Sequence, residues 1–294
     1  MSDRLKLGTR GSRLALAQAQ LVAEALGDAE VVPVRSADGE VGDKERFVRG
    51  VERAVLEGQA DLGVHSAKDL PGKRPDAIRL VGVVGREEPF DAYVGKGSSL
   101  GELPQGARVG TASLRRRSQL LALRPDLEVS ELRGNVDTRL EKLADGEYDG
   151  IVLAAAGLRR LGREEEISFR FGVDELTPAA GQGSLALEAR REDPEAAARA
   201  AGISAHDALV ELTAERAAVA TLEASCHTPV GIFARLGTDM LEVFGYAGLP
   251  DGSEWVRDHV SGDPEQPAAL GEALARRLLA AGAREILERS GVPG

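Results

Sequence analysis

Two stretches of the chain repeat the same order of residues, and this duplication constrains the fold more than any other feature. Residues 6–21 (KLGTRGSRLALAQAQL) and 108–123 (RVGTASLRRRSQLLAL) each contain a short apolar run, a Gly-Thr turn, a Ser and a segment of helical composition. A Ser just before a helix caps free backbone N–H groups. Each stretch is therefore predicted to be a strand followed by a capped helix, whose N-terminal end attracts anions.

A second pair of stretches extends the repeat. Residues 58–70 (GQADLGVHSAKDL) and 146–158 (GEYDGIVLAAAGL) each have a Gly, an Asp three residues later and an apolar strand. Strand–helix–strand units in this order indicate parallel sheets. The copies differ at their strand ends, where α/β proteins bind ligands. The first copy ends in Lys68 and Asp69, and the second continues to Arg160.

The repeat predicts two similar α/β domains followed by a smaller C-terminal α+β domain. We expect the first domain to comprise residues 1–84 and 184–201, and the second to comprise residues 89–177. The segment TPAAGQGSLALEAR is expected to cross back from the second domain to the first. The third domain, residues 206–294, is predicted to contain a helix, strands joined by hairpin turns and a final helix.

Charge and composition narrow the classes of partner. The net charge is −11 and the pI is about 5.1, so an acidic surface repels nucleic acid and anionic membranes, and neither is an expected partner. The N-terminus has no apolar core of a secretory signal, and the longest apolar run, residues 150–158, is too short to span a bilayer. A single cysteine favours the reducing cytoplasm as the location.

The arginines are placed unevenly. Residues 115–117 (RRR) fall in the first turn of a predicted helix, where cations oppose the helix dipole. A solvated basic face is the usual explanation of such a run. Here the arginines occupy positions that are unfavourable for the helix, and residues of that kind are typical of functional sites, which favours anion binding. Arg133 and Arg139 flank a Gly-Asn turn, and Arg10 precedes the other predicted helix. Arginines at loop–helix junctions suit a ligand with several carboxylates, each held by paired hydrogen bonds.

Two further features leave alternatives open. Lys68 and Asp69 form either a surface ion pair, which contributes little to stability, or a site in which the Asp stabilises a cation or transfers a proton. Cys226, the only cysteine, is either a small buried apolar residue, a catalytic nucleophile or a covalent attachment point. Its neighbour His227 is poorly placed to act as its base, because adjacent residues rarely point at each other. The sequence contains no phosphate-binding loop, no dinucleotide motif and no zinc-ligand spacing, so no metal is expected.

Seven motifs in order resemble the porphobilinogen deaminase family, also called hydroxymethylbilane synthases. They are GTRGSRLALAQ, HSAKDLP, GTASLRRRSQL, LRGNVDTRL, GIVLAAAGLRRLG, TPAAGQG and LEASCHTPVG. The resemblance implies two domains similar to type II periplasmic binding proteins, which flank an active-site cleft. It also implies a third domain that carries the cysteine on a loop facing that cleft.

The resemblance also implies the activity. The chain is expected to be a transferase of haem and porphyrin biosynthesis that joins four porphobilinogen molecules head to tail, with release of ammonia, to give linear hydroxymethylbilane. A dipyrromethane cofactor is expected to be linked to Cys226 by a thioether, which makes the cysteine an anchor rather than a nucleophile in turnover. A monomer that passes its product to uroporphyrinogen-III synthase is expected.

Site residues follow from the matched motifs. Asp69 matches the family's catalytic aspartate, which hydrogen-bonds pyrrole N–H groups and offsets the cation left by loss of ammonia, and Lys68 is expected to assist. The residues that match carboxylate-binding positions are Arg10, Ser12, Thr111, Ser113, Arg115, Arg116, Arg133, Arg139 and Arg160.

The chain departs from the family pattern in two places. Residues 35–50 (RSADGEVGDKERFVRG) are shorter than the family's active-site lid and lack its glycine run, although Phe47 matches the family's phenylalanine. Ala-Ser replaces the usual Gly-Gly before Cys226. Two other functions remain open from the residues alone: a two-lobed anion receptor without chemistry and a cysteine-dependent acyltransferase. Only the deaminase interpretation predicts bound pyrroles.

Overall fold

The structure is a computed structural model that describes residues 4–34, 44–72, 75–225 and 227–291, with only the backbone of residues 44–47. Contacts divide the chain into two compact units. Unit 1 comprises Met1–Glu87 and Gly183–Leu209, and unit 2 comprises Glu88–Gln182 and Val210–Gly294. Most of the predicted lid, residues 35–43, lies outside the described residues.

The helices and strands are numbered in chain order. The strands are β1 (Leu5–Arg10), β2 (Ala29–Val34), β3 (Leu62–Ser66), β4 (Ile78–Arg86), β5 (Asp91–Gly95), β6 (Arg108–Gly110), β7 (Glu128–Ser130), β8 (Gly150–Ala154), β9 (Phe169–Arg170), β10 (Ser184–Arg190), β11 (Val230–Leu236), β12 (Leu241–Gly248) and β13 (Trp255–Gly262). The α-helices are α1 (Arg13–Leu26), α2 (Lys44–Leu56), α3 (Leu114–Leu123), α4 (Val136–Ala144), α5 (Ala155–Arg160), α6 (Pro194–Gly202), α7 (His206–Thr221), α8 (Pro267–Ala280) and α9 (Ala283–Arg289).

Unit 1 is built on a five-stranded sheet in the order β2-β1-β3-β10-β4. Strands β1, β2 and β3 are parallel, whereas β10 runs antiparallel to both β3 and β4. Its core is made of small and branched apolar side chains such as Leu7, Leu62 and Leu187, all fully buried. Strand β10 is the second half of the segment predicted to cross back, and it supplies the fourth strand of this sheet.

Unit 2 contains a second five-stranded sheet with the same topology, in the order β7-β6-β8-β5-β9. Strands β6, β7 and β8 are parallel, and β5 runs antiparallel to both β8 and β9. Strand β6 therefore corresponds to β1, β8 to β3, and β5 to β10. The predicted duplication of the α/β architecture is confirmed.

The C-terminal part of unit 2 is a smaller α+β arrangement. Strands β11, β12 and β13 form an antiparallel sheet that packs with α7 and α8 around fully buried residues such as Ala214, Val243 and Leu274. The predicted fold class is thus confirmed. The contacts group this part with the second sheet in one unit, and the division into three domains at the predicted boundaries remains a prediction. Within the described part of the chain, none of the helices has the length and apolar character needed to cross a bilayer.

Candidate functional site

The ends of the parallel strands place the predicted site residues of unit 1 together. Strand β1 ends at Arg10, and its neighbour β3 ends at Ser66, just before a single 3₁₀ turn that contains Lys68 and Asp69. Because the carboxyl ends of neighbouring parallel strands lie at the same edge of a sheet, Arg10, Lys68 and Asp69 share this edge. Ser12 follows β1 and caps α1, since its Oγ accepts a hydrogen bond from the Ala15 N–H at 3.3 Å.

Arg10 and Asp69 interact electrostatically. Burial lowers the pKa of the Arg10 guanidinium, and the negative charge of Asp69 partly offsets this effect. The Oδ1 atom of Asp69 is shielded from solvent. An aspartate of this kind differs from one in an exposed surface pair, because a charge shielded from water acts more strongly on its neighbours.

In unit 2 the carboxyl ends of the parallel strands also lie at one edge of the sheet, and a second group of predicted residues follows them there. Strand β6 leads into Thr111 and Ser113, β7 leads into Arg133, and β8 leads into α5, which ends at Arg160. The Thr111 N–H donates to the carbonyl oxygen of Ser130 at 2.9 Å, which holds the ends of β6 and β7 together. The predicted anion-binding residues of this unit therefore come from three adjacent strand ends.

Helix α3 begins as the sequence predicts. The Oγ of Ser113 accepts a hydrogen bond from the Arg116 N–H at 3.4 Å, which confirms the predicted cap. Arg115 and Arg116 do not lie on a solvated face, because their exposed fractions are only 4% and 6%. Arg117, the third arginine of the run, is exposed.

Both buried arginines bind Asp91, a fully buried residue that the sequence did not single out. Arg115 Nη1 donates to Asp91 Oδ2 at 2.7 Å, and Arg116 Nη2 donates to Asp91 Oδ1 at 2.8 Å. Burial alone would raise the pKa of Asp91, but the charges of Arg115 and Arg116 outweigh it and hold that pKa well below its usual range. Asp91 starts β5 opposite Ala154, the last residue of antiparallel β8, and so lies at the same carboxyl edge.

The TPAAGQG segment is tied to this cluster. Gln182 Nε2 donates to Asp91 Oδ1 at 2.9 Å and to the Pro89 carbonyl at 2.7 Å. The Thr177 carbonyl accepts from Arg115 Nη1 at 2.8 Å and from Gln119 Nε2 at 3.2 Å. Gln182 and Gln119 were also not predicted. The Gly-Gln-Gly motif marks Gln182 in the sequence but does not by itself assign a role to its side chain.

The remaining arginines of unit 2 are more accessible. The side chain of Arg133 is 69% exposed and pairs with Glu131 at 2.8 Å. Arg139 Nε donates to the Gly134 carbonyl at 2.9 Å, across the turn that precedes α4. Arg160 is partly exposed at the last position of α5. Exposed guanidinium groups of this kind can exchange a weak local partner for a ligand carboxylate at little cost.

Cys226 lies outside the described residues, but the chain on either side of it is described. Helix α7 ends in a turn in which the Ala224 N–H donates to the Val219 carbonyl at 3.1 Å, and Glu223 adopts a positive φ of 53°. Thr228 is buried, and its Oγ1 donates to the Ser225 carbonyl at 2.7 Å while accepting from the Ser225 N–H at 3.0 Å. The chain is therefore held firmly both before and after position 226.

Helix α7, which precedes the segment around position 226, is fixed by a buried carboxylate. Glu215 of α7 is fully buried, and its two oxygens accept from the backbone N–H groups of Gly181 at 2.6 Å and Ala234 at 2.8 Å. The side chain thereby joins the TPAAGQG segment to β11. Among the described residues, no group of three or more His, Cys, Asp or Glu is placed to hold a metal ion.

Comparison with known proteins assigns the chain to a family. The family model described as "Porphobilinogen deaminase, dipyromethane cofactor binding domain" matches residues 5–198, and the model of the "Porphobilinogen deaminase, C-terminal domain" matches residues 209–280. The chain belongs to the porphobilinogen deaminase family. Membership of this family decides against the anion receptor and the cysteine-dependent acyltransferase, the two other functions that the residues alone had left open.

Curated relatives in the porphobilinogen deaminase family cover almost the whole chain. The porphobilinogen deaminase of Roseiflexus castenholzii is 46% identical over 98% of this chain and 99% of that protein. The porphobilinogen deaminase of Campylobacter concisus is 40% identical over 97% of this chain and 98% of that protein.

Among solved structures, the chain is similar to a TRAP periplasmic solute binding protein from Desulfovibrio salexigens, with a TM-score of 0.42 and 12% identity over 68% of this chain and 72% of that chain. It is also similar to the VFT2 domain of BvgS from Bordetella pertussis, with a TM-score of 0.39 and 16% identity over 68% of this chain and 85% of that chain.

Proposed function

We propose that the chain joins four porphobilinogen molecules head to tail, with release of ammonia, and that it does so with the groups at the carboxyl edges of its two five-stranded sheets. The observation that carries this proposal is the placement of Asp69 beside Arg10 at one such edge, with Oδ1 shielded from solvent. A carboxylate in this setting suits a reaction in which positive charge develops on the substrate.

Asp69 has the central role in this proposal. Loss of ammonia from porphobilinogen leaves a cationic methylene-pyrrolenine, and a fixed carboxylate stabilises that charge more in the transition state than in the ground state. Asp69 also accepts hydrogen bonds from pyrrole N–H groups, which orients the ring. Lys68, its neighbour in the same turn, assists by attracting the carboxylates of the substrate.

The other predicted residues bind carboxylates. Each pyrrole carries an acetate and a propionate, so the growing product is polyanionic, and a chain with a net charge of −11 must gather local positive charge to hold it. In unit 1, Arg10 and Ser12 supply a cation and a helix N-terminus. In unit 2, the groups at the three strand ends have this role, namely Thr111, Ser113, Arg115, Arg116, Arg133, Arg139 and Arg160.

The family's dipyrromethane cofactor fits the donors that this chain presents. The cofactor is itself a polyanion, and the described edges of the two sheets offer it cationic and hydroxyl groups. The residues that would hold it are the arginines and hydroxyls at the two sheet edges. When bound, the cofactor supplies the free pyrrole α-carbon to which the first substrate is joined.

Cys226 is proposed as the point of attachment, through a thioether. The single cysteine of the chain and the hydrogen bonds that hold Ser225 and Thr228 support this role, because a fixed backbone reduces the freedom of the attached group. A thioether is also stable in a reducing compartment, where a disulfide or thioester would exchange. We further propose a cytoplasmic monomer that delivers hydroxymethylbilane to uroporphyrinogen-III synthase.

Asp69→Asn tests the catalytic assignment. The variant is expected to fold and to retain the mass of bound dipyrromethane, but to lose nearly all formation of hydroxymethylbilane, because a neutral amide cannot offset a cation. Asp28→Asn is the matched control in unit 1, since Asp28 forms an exposed pair with Arg4 at 2.8 Å. Turnover of Asp69→Asn at a rate close to that of Asp28→Asn would remove Asp69 from the mechanism.

Intact-mass spectrometry tests the attachment. The resting protein is expected to be heavier than its sequence by one dipyrromethane, and limiting porphobilinogen should add a series of pyrrole units that disappears after turnover. Cys226→Ala is expected to show neither the excess mass nor the series. An unmodified wild-type protein that still forms hydroxymethylbilane would overturn the anchor assignment.

A further inference from the structure

Two buried titratable side chains in unit 1, His65 of β3 and Glu188 of β10, contact each other close to the turn that carries Asp69. His65 Nε2 lies 3.2 Å from Glu188 Oε2, and the two side chains are only 3% and 1% exposed. Burying a carboxylate to this extent is unfavourable unless a partner offsets it. Neither residue belongs to the predicted site, and the proposed mechanism uses neither. The two residues are here called the His65–Glu188 pair.

The register of the two strands explains how the pair meets. Strands β3 and β10 are antiparallel, and Glu188 lies opposite Gly63, two residues before His65. Side chains two residues apart point to the same face of a sheet, and diagonal neighbours on adjacent strands are within reach of long side chains. A methyl group at Gly63 would lie 2.9 Å from His65 Nε2 and 3.1 Å from Val51 Cγ1. Gly63 therefore leaves the space in which the imidazole and the carboxylate meet.

The end of β3 depends on β10 for its position. Within the described residues, β1 is in register with β3 at Leu62 and Gly63, whereas β10 stays in register as far as Ser66. The His65–Glu188 pair joins β3 to β10 in the stretch that β1 does not reach. Because a shift in register moves every side chain of a strand, the pair helps to fix where β3 ends.

The turn that follows β3 has little support of its own. The Ser66 side chain forms no capping hydrogen bond with this turn, and the Leu70 N–H donates to the Ala67 carbonyl at 3.3 Å, which is long for such a bond. Strand β10 and helix α2 both contact the turn. Asp69 is the last residue of the turn, so the placement of its carboxylate follows from the position of the strand end.

We propose that His65 and Glu188 are positioning residues, which lock β3 to β10 and thereby hold the Asp69 carboxylate where positive charge develops on the substrate. The inference rests on the proposed function, since it takes Asp69 as the group that stabilises this charge. A preorganised charge is effective because its orientation is set before the reaction, and a misplacement of about 1 Å can lower a rate about a hundredfold.

The first test removes the charge of Glu188. Glu188→Gln keeps the shape of the side chain, and the kinetics of hydroxymethylbilane formation are measured per molecule that carries dipyrromethane, as counted by intact-mass spectrometry. We expect kcat to fall at least tenfold while KM for porphobilinogen stays within threefold of wild type, because Asp69 acts on charge that develops in the transition state. A loss of folded protein alone would lower the amount of active enzyme but not kcat per loaded molecule.

A matched control lies at the other end of β10. Asp193 pairs with Arg190, the last residue of that strand, at 2.6 Å. Asp193→Asn also removes a carboxylate charge from an ion pair of β10, and asparagine can still cap α6 as the aspartate does. Its kcat is expected to stay within twofold of wild type. Equal kcat values per loaded molecule for Glu188→Gln and Asp193→Asn would make the His65–Glu188 pair merely structural, and the proposal would fail.

Gly63→Ala covers the case in which Glu188→Gln does not fold. The new methyl group meets the ends of side chains rather than backbone atoms, so we expect the protein to fold while the imidazole moves away from Glu188. Both members of the pair keep their own chemistry in this variant. We expect kcat to fall at least fivefold with KM within threefold of wild type. A kcat within twofold of wild type would overturn the positioning role.

Asp69→Asn separates failure of this inference from failure of the proposed function. Turnover by Asp69→Asn close to that of wild type would refute the proposed role of Asp69, and the positioning role with it. A strong loss of turnover in Asp69→Asn, together with unchanged kcat in Glu188→Gln and Gly63→Ala, would refute the positioning role alone.

Discussion

The substitution Gly271→Ala sets helix propensity against close packing of two helices. Gly271 lies within α8, where alanine favours a helix by about 1 kcal/mol over glycine. A methyl group at this position would lie 2.0 Å from the carbonyl oxygen and 2.8 Å from the carbonyl carbon of Ala214, a residue of α7. The structure therefore predicts the opposite sign from that of helix propensity.

The magnitude follows from how far the helices must separate. The carbonyl of Ala214 belongs to the helix backbone and cannot rotate away as a side chain would, so α8 must move by more than 1 Å to restore an ordinary contact. Overpacking of this severity costs about 3 kcal/mol. After the gain of about 1 kcal/mol in propensity, we expect a net loss of about 2 kcal/mol, or a fall in Tm of about 4–8 °C.

Trp255 provides the assay, because it is the only tryptophan and lies in unit 2, as Gly271 does. Denaturant unfolding followed by its fluorescence is expected to show a lower midpoint for Gly271→Ala with an unchanged slope. Gly202→Ala is the control, since a methyl group at the end of α6 meets no atom within 4 Å. Gly202 lies in unit 1, so unfolding of both variants is also followed by far-ultraviolet circular dichroism, which reports on both units. Equal or greater stability of Gly271→Ala relative to wild type would refute the reasoning about close packing.

Three further outcomes are expected. Glu223→Gly should raise the free energy of unfolding by about 0.5–1 kcal/mol in denaturant titrations, because glycine adopts the positive φ of 53° without strain; an unchanged midpoint would contradict this. Burial, assisted by the charge of Asp149, raises the pKa of Tyr93 to about 12, so the stability that its phenol contributes is fully present below about pH 10 and lost as pH rises toward 12. In melting experiments over that pH range, Tyr93→Phe should lose less stability than wild type. Identical alkaline profiles of the two proteins would argue against the raised pKa. Arg133→Leu should raise KM for porphobilinogen about tenfold with little change in Tm, because its side chain is 69% exposed; a large fall in Tm with unchanged KM would make this arginine structural.

Local patterns in the sequence predicted the repeated architecture well. The Gly-Thr pairs lie at the ends of corresponding strands in sheets of identical order, and Ser12 and Ser113 cap the helices that follow. The turn predicted at the first pair is wrong, because Gly8 and Thr9 are still paired with β2 inside β1. These features depend on residues close together in the chain, so the spacing of apolar and capping residues is sufficient to reveal them. The topological position of a site at the carboxyl edge follows from the same reasoning.

The partners of the buried arginines could not be predicted from local sequence patterns, because they are distant in the chain. Asp91 is 24 residues from Arg115, and Gln182 is 91 residues from Asp91. A sequence shows that arginines in the first turn of a helix need compensation, but it does not show which of 48 acidic residues supplies it. The antiparallel pairing of β5 with β8 brings Asp91 to the strand ends, and that pairing depends on the whole sheet.

The two sheets show how one architecture supports two different kinds of edge. At the start of β5, the second sheet has Asp91, which is fully buried and binds two cations. At the corresponding register position of the first sheet, opposite Ser66 at the end of β3, β10 has Leu185, which is 2% exposed and carries no charge. Without a buried carboxylate at that position, the negative group at the first edge is Asp69, in the turn that follows β3. The same topology thus places a carboxylate behind the strand ends in one sheet, where it can only orient other groups, and after a strand end in the other, where it can meet substrate.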